Sequence, residues 1–319
     1  MTGMLSRTAE NLYWTARYME RCDTMARLLE VGYRMSMMPT PDGGYATEWG
    51  SVLSASGVAA GFEDRYGEIG QRNVVSYLVF DAANPSSMKS AIAAARNNAR
   101  AVRTALTTEV WEALNQTYHQ FQDLERRPRS DLGLPEICDW MKSRAALVRG
   151  AFVNTQLENE GFRFFNLGYA VERSDNTARL LDVKYYVLLP TLDMVGGGLD
   201  NYQWTTVLRA LSAFRSYHWT YGGDYGPRRI GHFLILNPSC PRSLIHNVQE
   251  ADRQLTYLSR HHGGRSRAAS TASEMLGELA EMEIEDVFEE GLHEFLTRFI
   301  ARNAALSQDI ADSYLFGKI

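Results

Sequence analysis

The chain has few of the features that assign a chemistry at sight. Its three cysteines, Cys22, Cys138 and Cys240, are spread over 319 residues with no C-x-x-C. That odd, dispersed set fits neither a disulfide framework nor a zinc site, and reads as free thiols in a reducing cytoplasm. No run of about 18 apolar residues occurs, so no membrane-spanning helix is expected. The opening MTGMLSRTAENLYW lacks the apolar core of a signal peptide. Positive charge is not in surplus: 33 Lys and Arg stand against 38 Asp and Glu, a net of −5. A general nucleic-acid binder carries the opposite balance. The expectation is a cytoplasmic protein with neither nucleic acid nor membrane as partner.

Familiar catalytic signatures are missing too. There is no G-x-x-x-x-G-K-[ST], no G-x-G-x-x-G after a strand, no G-x-S-x-G and no H-E-x-x-H. A di-iron site of the ferritin type needs two E-x-x-H pairs on facing helices, and only Glu290-x-x-His293 fits. His261-His262 sits beside two glycines, as surface loop histidines do, and His218 in Y-H-W reads as a core or interface residue. No cofactor and no metal site is expected.

What is present is a repeat. Residues 20–33 read ERCDTMARLLEVGY and residues 172–185 read ERSDNTARLLDVKY, identical at nine of fourteen positions. Further blocks follow in the same order. P-T-P-D at 39–42 answers P-T-L-D at 190–193, and W-x-x-V-L-x-A at 49–55 recurs at 204–210. Tyr66-Gly67 answers Tyr221-Gly222, RNVVSYLVF answers RRIGHFLIL, N-P-S-S at 84–87 answers N-P-S-C at 237–240, and Arg100 answers Arg253. The expected architecture is all-α: a tandem duplication of a helical-bundle unit with pseudo-twofold symmetry, halves 1–150 and 151–319, packed as one body.

Helices are expected at 8–36, where the lone Gly32 falls near the stop, and at 157–188. Others are expected from Met88, with Ser86 or Ser87 as cap, and at 109–125, 135–157, 202–221 and 272–315. The short apolar runs 74–80 and 230–236 fit buried helix or strand and are taken as helix. Loops are expected at 39–48, 190–201 and 261–271.

The repeated charges are the chemical signal. On a helix, Glu20, Asp23 and Arg27 fall within about 60° of one another, with Tyr13, Arg17 and Thr24 on the adjoining strip. Arg21 points roughly 100° away. Asp23 precedes Arg27 by four residues, the favourable order for an ion pair. One reading is structural: Arg27 neutralises Asp23 and Glu20, and Arg179 does the same for Asp175 and Glu172. The other is functional: two signature helices face each other and their acids and arginines form one polar pocket for a ligand or a partner's charged tail. The stripe Arg96, Arg100 and Arg103 reads as a solvated face or an anion contact, and the acidic stretch Glu274–Glu290 as a solvated face.

The opening L-S-R-T-A-E-N-L-Y-W-T-A-R-Y-M-E-R, the N-P-S-S block with E-V-W-E-A-L-N at 109–115, and the second E-R-x-D-x-T-A-R-L-L-D-V resemble the bacterial alpha-E family, over nearly the whole chain. Members typically accompany circularly permuted ATP-grasp proteins that look like peptide or amide ligases, and often a transglutaminase-like protein. The resemblance implies a role in making or attaching short peptides, as a non-catalytic accessory or as an enzyme using the paired carboxylates. Its charged positions map to Arg7, Glu10, Asn11, Arg17, Glu20, Arg21 and Arg27, with Glu172, Arg173, Asp175 and Arg179. In one departure, the family's second-half L-G-R-Y reads Leu167-Gly168-Tyr169-Ala170 here, so Arg17-Tyr18 has no twin and any pocket is asymmetric.

Overall fold

In the computed structural model the described residues are 6–37, 45–128, 131–186 and 197–317, and all regular structure among them is helical. Fifteen α-helices follow in order. The first seven are α1 (Ser6–Ser36), α2 (Tyr45–Ser56), α3 (Ala59–Tyr66), α4 (Gln71–Val75), α5 (Met88–Ala101), α6 (Thr108–Arg126) and α7 (Leu134–Thr155). The rest are α8 (Glu160–Tyr186), α9 (Gly198–Ala210), α10 (Phe214–Tyr221), α11 (Pro227–Ile235), α12 (Leu244–His261), α13 (Arg267–Glu281), α14 (Ile284–Glu290) and α15 (Leu292–Ser313).

The axis of the molecule is the pair α1 and α8, the helices that carry the two E-R segments. They pack along each other, and neither has a solvated face. α1 is covered by α2, α5, α7 and α9, and α8 by α2, α12 and α15. Burial on every side explains why neither helix has a one-sided apolar stripe. Close approach is set by Gly168. A Cβ there would stand 2.3 Å from the Tyr13 carbonyl oxygen and 3.2 Å from Ala16 Cβ, so only a residue without a side chain lets the backbones meet. Gly32, expected to mark the end of a helix, lies inside α1. A Cβ at Gly32 would meet Val52 Cγ2 at 2.6 Å, so this glycine makes room for α2.

Local chemistry sets the flanking helices. Ser87 accepts from the Ser90 amide to start α5, and Ser243 does the same with His246 to start α12. The first N-P-S runs directly into its cap, whereas Cys240, Pro241 and Arg242 separate the second from Ser243. Both ambiguous apolar runs are helical: α4 continues as a π-helical turn, Ser76–Phe80, and 230–235 lie in α11.

Three expectations need correction. The helix expected at 202–221 breaks at residues 211–213, where Ser212 takes a φ of 55°. That expected at 272–315 is three helices, divided at 282–283 and at Gly291, whose φ is 98°. The expected loops shrink, because α2 begins at Tyr45, α9 at Gly198 and α13 at Arg267. Residue 150, where the sequence divides the two halves, lies within α7, and the next non-helical link is 156–159. The P-T-P-D block and the P-T-L-D block lie outside the described residues.

Candidate functional site

The charged residues at the centre of α1 and α8 are brought together. Asp23 and Asp175 form the expected pairs with the arginine one turn on, Arg27 at 2.7 Å and Arg179 at 2.6 Å. The glutamates reach across. Glu20 accepts from Arg173 Nε and Nη2, both at 2.7 Å. Glu172 accepts from Arg21 Nε at 2.6 Å and Nη2 at 3.1 Å. Each E-R dipeptide therefore gives its glutamate to, and takes an arginine from, the other helix.

Arg27 and Arg179 thus do not neutralise both acids of their own helix, as the structural reading had it. Glu20 and Arg27 are seven residues apart, roughly 10 Å along the axis, while the facing Arg173 is in direct contact. The remaining donors of Arg27 cap α9 through the Ala210 carbonyl oxygen and reach Ser212 Oγ at 3.0 Å. Arg179 Nη1 reaches the Ala55 carbonyl oxygen at the end of α2, at 3.5 Å. A guanidinium at a helix C-terminus satisfies an orphan carbonyl and opposes the helix dipole. The break at Ser212 is what exposes this carbonyl end to Arg27.

Two further arginines complete the cluster, one on each glutamate. Arg17 Nε donates to Glu172 at 2.7 Å and its Nη1 to Ser307 at 2.5 Å. Arg242 donates to Asp23 at 2.9 Å and to Glu20 at 3.4 Å. Glu20, Asp23 and Glu172 are each at most 3% exposed, and each faces two guanidinium groups. Burial alone would raise the pKa values of Asp23 and Glu172. For Asp23, Arg27 and Arg242 outweigh it and hold the carboxyl at about 2. For Glu172, Arg21 and Arg17 do so, also to about 2.

The expected asymmetry has a physical form. Tyr169 stands four residues before Arg173, as Arg17 does before Arg21. Where Arg17 fills its place with a guanidinium, Tyr169 presents a ring that carries Arg149 at 4.4 Å and Arg173 at 5.5 Å. On this side α7, α8 and α12 leave an open cleft. It comprises two adjoining cavities of about 480 and 430 Å³ that share Arg149, Val153, Tyr169 and Arg173. Glu20, Asp23 and Arg242 line the smaller one.

Not every candidate residue belongs here. Arg7, Glu10 and Asn11 lie N-terminal to the cluster on α1. Arg7 is exposed, Asn11 bonds the Arg7 carbonyl, and Glu10 holds the amide of Gly317. The Arg96 stripe is partly spoken for, since Arg96 donates to Asn115 and lies over Tyr118, and Arg103 lies over Trp111. Glu290 pairs with Arg298, and His293 with Asp182. Among the described residues no group of three His, Cys, Asp or Glu is arranged to hold a metal. All three thiols are free and buried, and burial raises the pKa of each, Cys138 to about 12.

Sequence reasoning missed Arg149 and Arg242. Arg242 had a signal, the three residues inserted between N-P-S and its helix cap. Arg149 had none, being one arginine among several polar residues on α7.

A family model, Alpha-E, described as a predicted alpha-helical domain with a conserved ER motif, matches residues 4–315. The chain belongs to the Alpha-E family. No match was found among curated proteins or solved structures. Three E-R dipeptides occur in this Alpha-E chain, and two of them, Glu20-Arg21 and Glu172-Arg173, make the crossed pairs. The third, Glu125-Arg126, is at the surface, where Glu125 pairs with Lys89 and Arg126 with Asp123. No helix of the described residues is long and apolar enough to cross a membrane.

Proposed function

We propose that this Alpha-E protein is a non-catalytic accessory of an amide (peptide) ligase system, built on a circularly permuted ATP-grasp enzyme and a transglutaminase-like protein. One observation carries the non-catalytic half of this reading. Each buried acid of the E-R cluster is already committed to two guanidinium groups, and a general acid or base needs a carboxyl free to exchange its proton near working pH. Asp23 and Glu172, held at about 2, are poorly placed for that. The cluster then serves as a lock between α1 and α8. The association with a ligase rests on the family resemblance.

On the same reading the chain is a tandem duplication, halves 1–150 and 151–319, related by a pseudo-twofold axis between α1 and α8. The support is reciprocal packing: α5 and α7 lie on α1 as α12 and α15 lie on α8. Reciprocal capping of α9 by Arg27 and of α2 by Arg179 agrees with it. The buried free thiols suit the cytoplasmic location that belongs to this proposal.

The test is reconstitution. The ligase of the same system, purified alone and with this protein, is assayed on its natural substrate. Co-purification and a rate that needs the Alpha-E protein are expected. Full rate from the ligase alone refutes the accessory role. Glu20→Gln separates the enzymatic alternative: loss of turnover with intact fold and partner binding would make the cluster catalytic, whereas the lock predicts loss of stability.

A further inference from the structure

We propose that the cleft between α7, α8 and α12 is a binding site for a small amino acid or short peptide, its carboxylate seated on Arg149 and Tyr169. The inference is independent of the ligase proposed above. It starts from two donors that the protein leaves unanswered. Tyr169 is 4% exposed, yet its hydroxyl has no hydrogen-bond partner, and Arg149 Nη1 is buried without one. They sit together, the Arg149 guanidinium 4.4 Å from the centre of the Tyr169 ring. Both line the two adjoining cavities.

Around them every other lining arginine is ion-paired, although Arg163 keeps one buried donor, its Nε, without a partner. Arg173 is held by Glu20, Arg242 by Glu20 and Asp23, Arg163 by Glu158, and Arg253 by Glu250. Arg149 makes no ion pair among the described residues. A buried donor left without an acceptor destabilises the fold, and more so when it is charged. Such groups are rare in folded proteins, and each calls for something that completes it, such as an ordered water, an ion or a ligand.

The chemistry selects the ligand. Two donors, one a guanidinium and one a phenol, suit the two oxygens of a single carboxylate, in the charge-assisted manner of arginine sites. A phosphate monoester brings three terminal oxygens and close to two charges, for which one unmatched cation is too little. The larger cavity is also lined by Val153, Phe162 and Pro241 and by the neutralised pairs Arg163–Glu158 and Arg253–Glu250. That mixture fits the polar backbone and short side chains of an amino acid or peptide. Arg17 explains why α1 offers no counterpart: at the matching position the guanidinium turns inward to Glu172 and Ser307.

Calorimetric titration of the whole protein tests the site, with four probes. They are L-glutamate, an acetylated dipeptide with a free C-terminus, the same dipeptide as its C-terminal amide, and inorganic phosphate. At least one carboxylate probe binds and the amide does not. Glutamate alone binding identifies a free amino acid, and the dipeptide a peptide terminus. Arg149→Met lowers that affinity at least tenfold while unfolding no earlier than wild type on heating, since an unmatched buried cation is gone. Tyr169→Phe, which keeps the ring, lowers it several-fold and carries the test if Arg149→Met does not fold. Equal binding of acid and amide, binding of phosphate alone, binding of nothing, or unchanged affinity in both variants overturns the proposal.

Discussion

Glu20 receives both of its short hydrogen bonds from Arg173, 153 residues away on α8, and none from Arg27 on its own helix. The mirror relation joins Glu172 to Arg21. A pair on the surface would contribute little. Here the acids are out of water, so the worth of the pairing appears when one partner is removed and a buried charge is left alone.

The crossing needs the backbones of α1 and α8 in contact, and Gly168 provides it. Gly168→Ala puts a methyl 2.3 Å from the Tyr13 carbonyl oxygen, against main chain that cannot swing aside. A loss of about 1–3 kcal/mol is expected in urea unfolding, the range for overpacking. Wild-type stability in the variant contradicts the tight crossing.

Acid sensitivity follows from Asp23 and Glu172. Both carboxyls have folded values of about 2, below their ordinary values of 3.8 and 4.5. A folded pKa below the unfolded one contributes stability that is complete above the unfolded value and is lost as pH falls through the folded one. Stability should therefore decline between about pH 4.5 and 2, by on the order of 2 kcal/mol from Asp23 and about 3 kcal/mol from Glu172. Denaturant midpoints measured at half-unit steps check this, and a flat profile over that window rejects the assignment.

Arg242 serves Glu20 and Asp23 at once. Arg242→Met should cost about 1–3 kcal/mol and move the acid-unfolding midpoint to higher pH, because Asp23 keeps only Arg27. Arg7→Ala, at an exposed position outside the cluster, should stay within about 0.5 kcal/mol of wild type. Equal effects from the two changes would mean that the cluster is not where the sensitivity lies.

The helical class and most helix positions were legible in the chain, and the meeting of the two E-R segments was one of two readings it left open. Periodicity, caps such as Ser87 and the nine shared positions carry that information. The partner of each glutamate was not legible. Spacing along one helix reports neighbours at three and four residues, and so found Asp23–Arg27, but says nothing of how closely another helix approaches. That depended on Gly168, which by itself resembles any helical glycine. The break at Ser212 escaped because residues 211–213 carry no proline or glycine, and its reason is tertiary: Arg27 binds the carbonyl end it leaves. Arg149 was invisible for the same cause, since only packing decides whether an arginine on α7 faces water or Tyr169.

The crossed pair itself is tested most directly by a double-mutant cycle on Glu20→Gln and Arg173→Met, followed by equilibrium unfolding at neutral pH. Each single change should cost about 3–5 kcal/mol, the penalty for stranding one member of a buried ion pair. The double variant should lose less than the sum by more than about 1 kcal/mol, because the second change removes a charge the first left unmatched. Losses that simply add would show the two residues to be energetically independent, and would contradict the lock between α1 and α8.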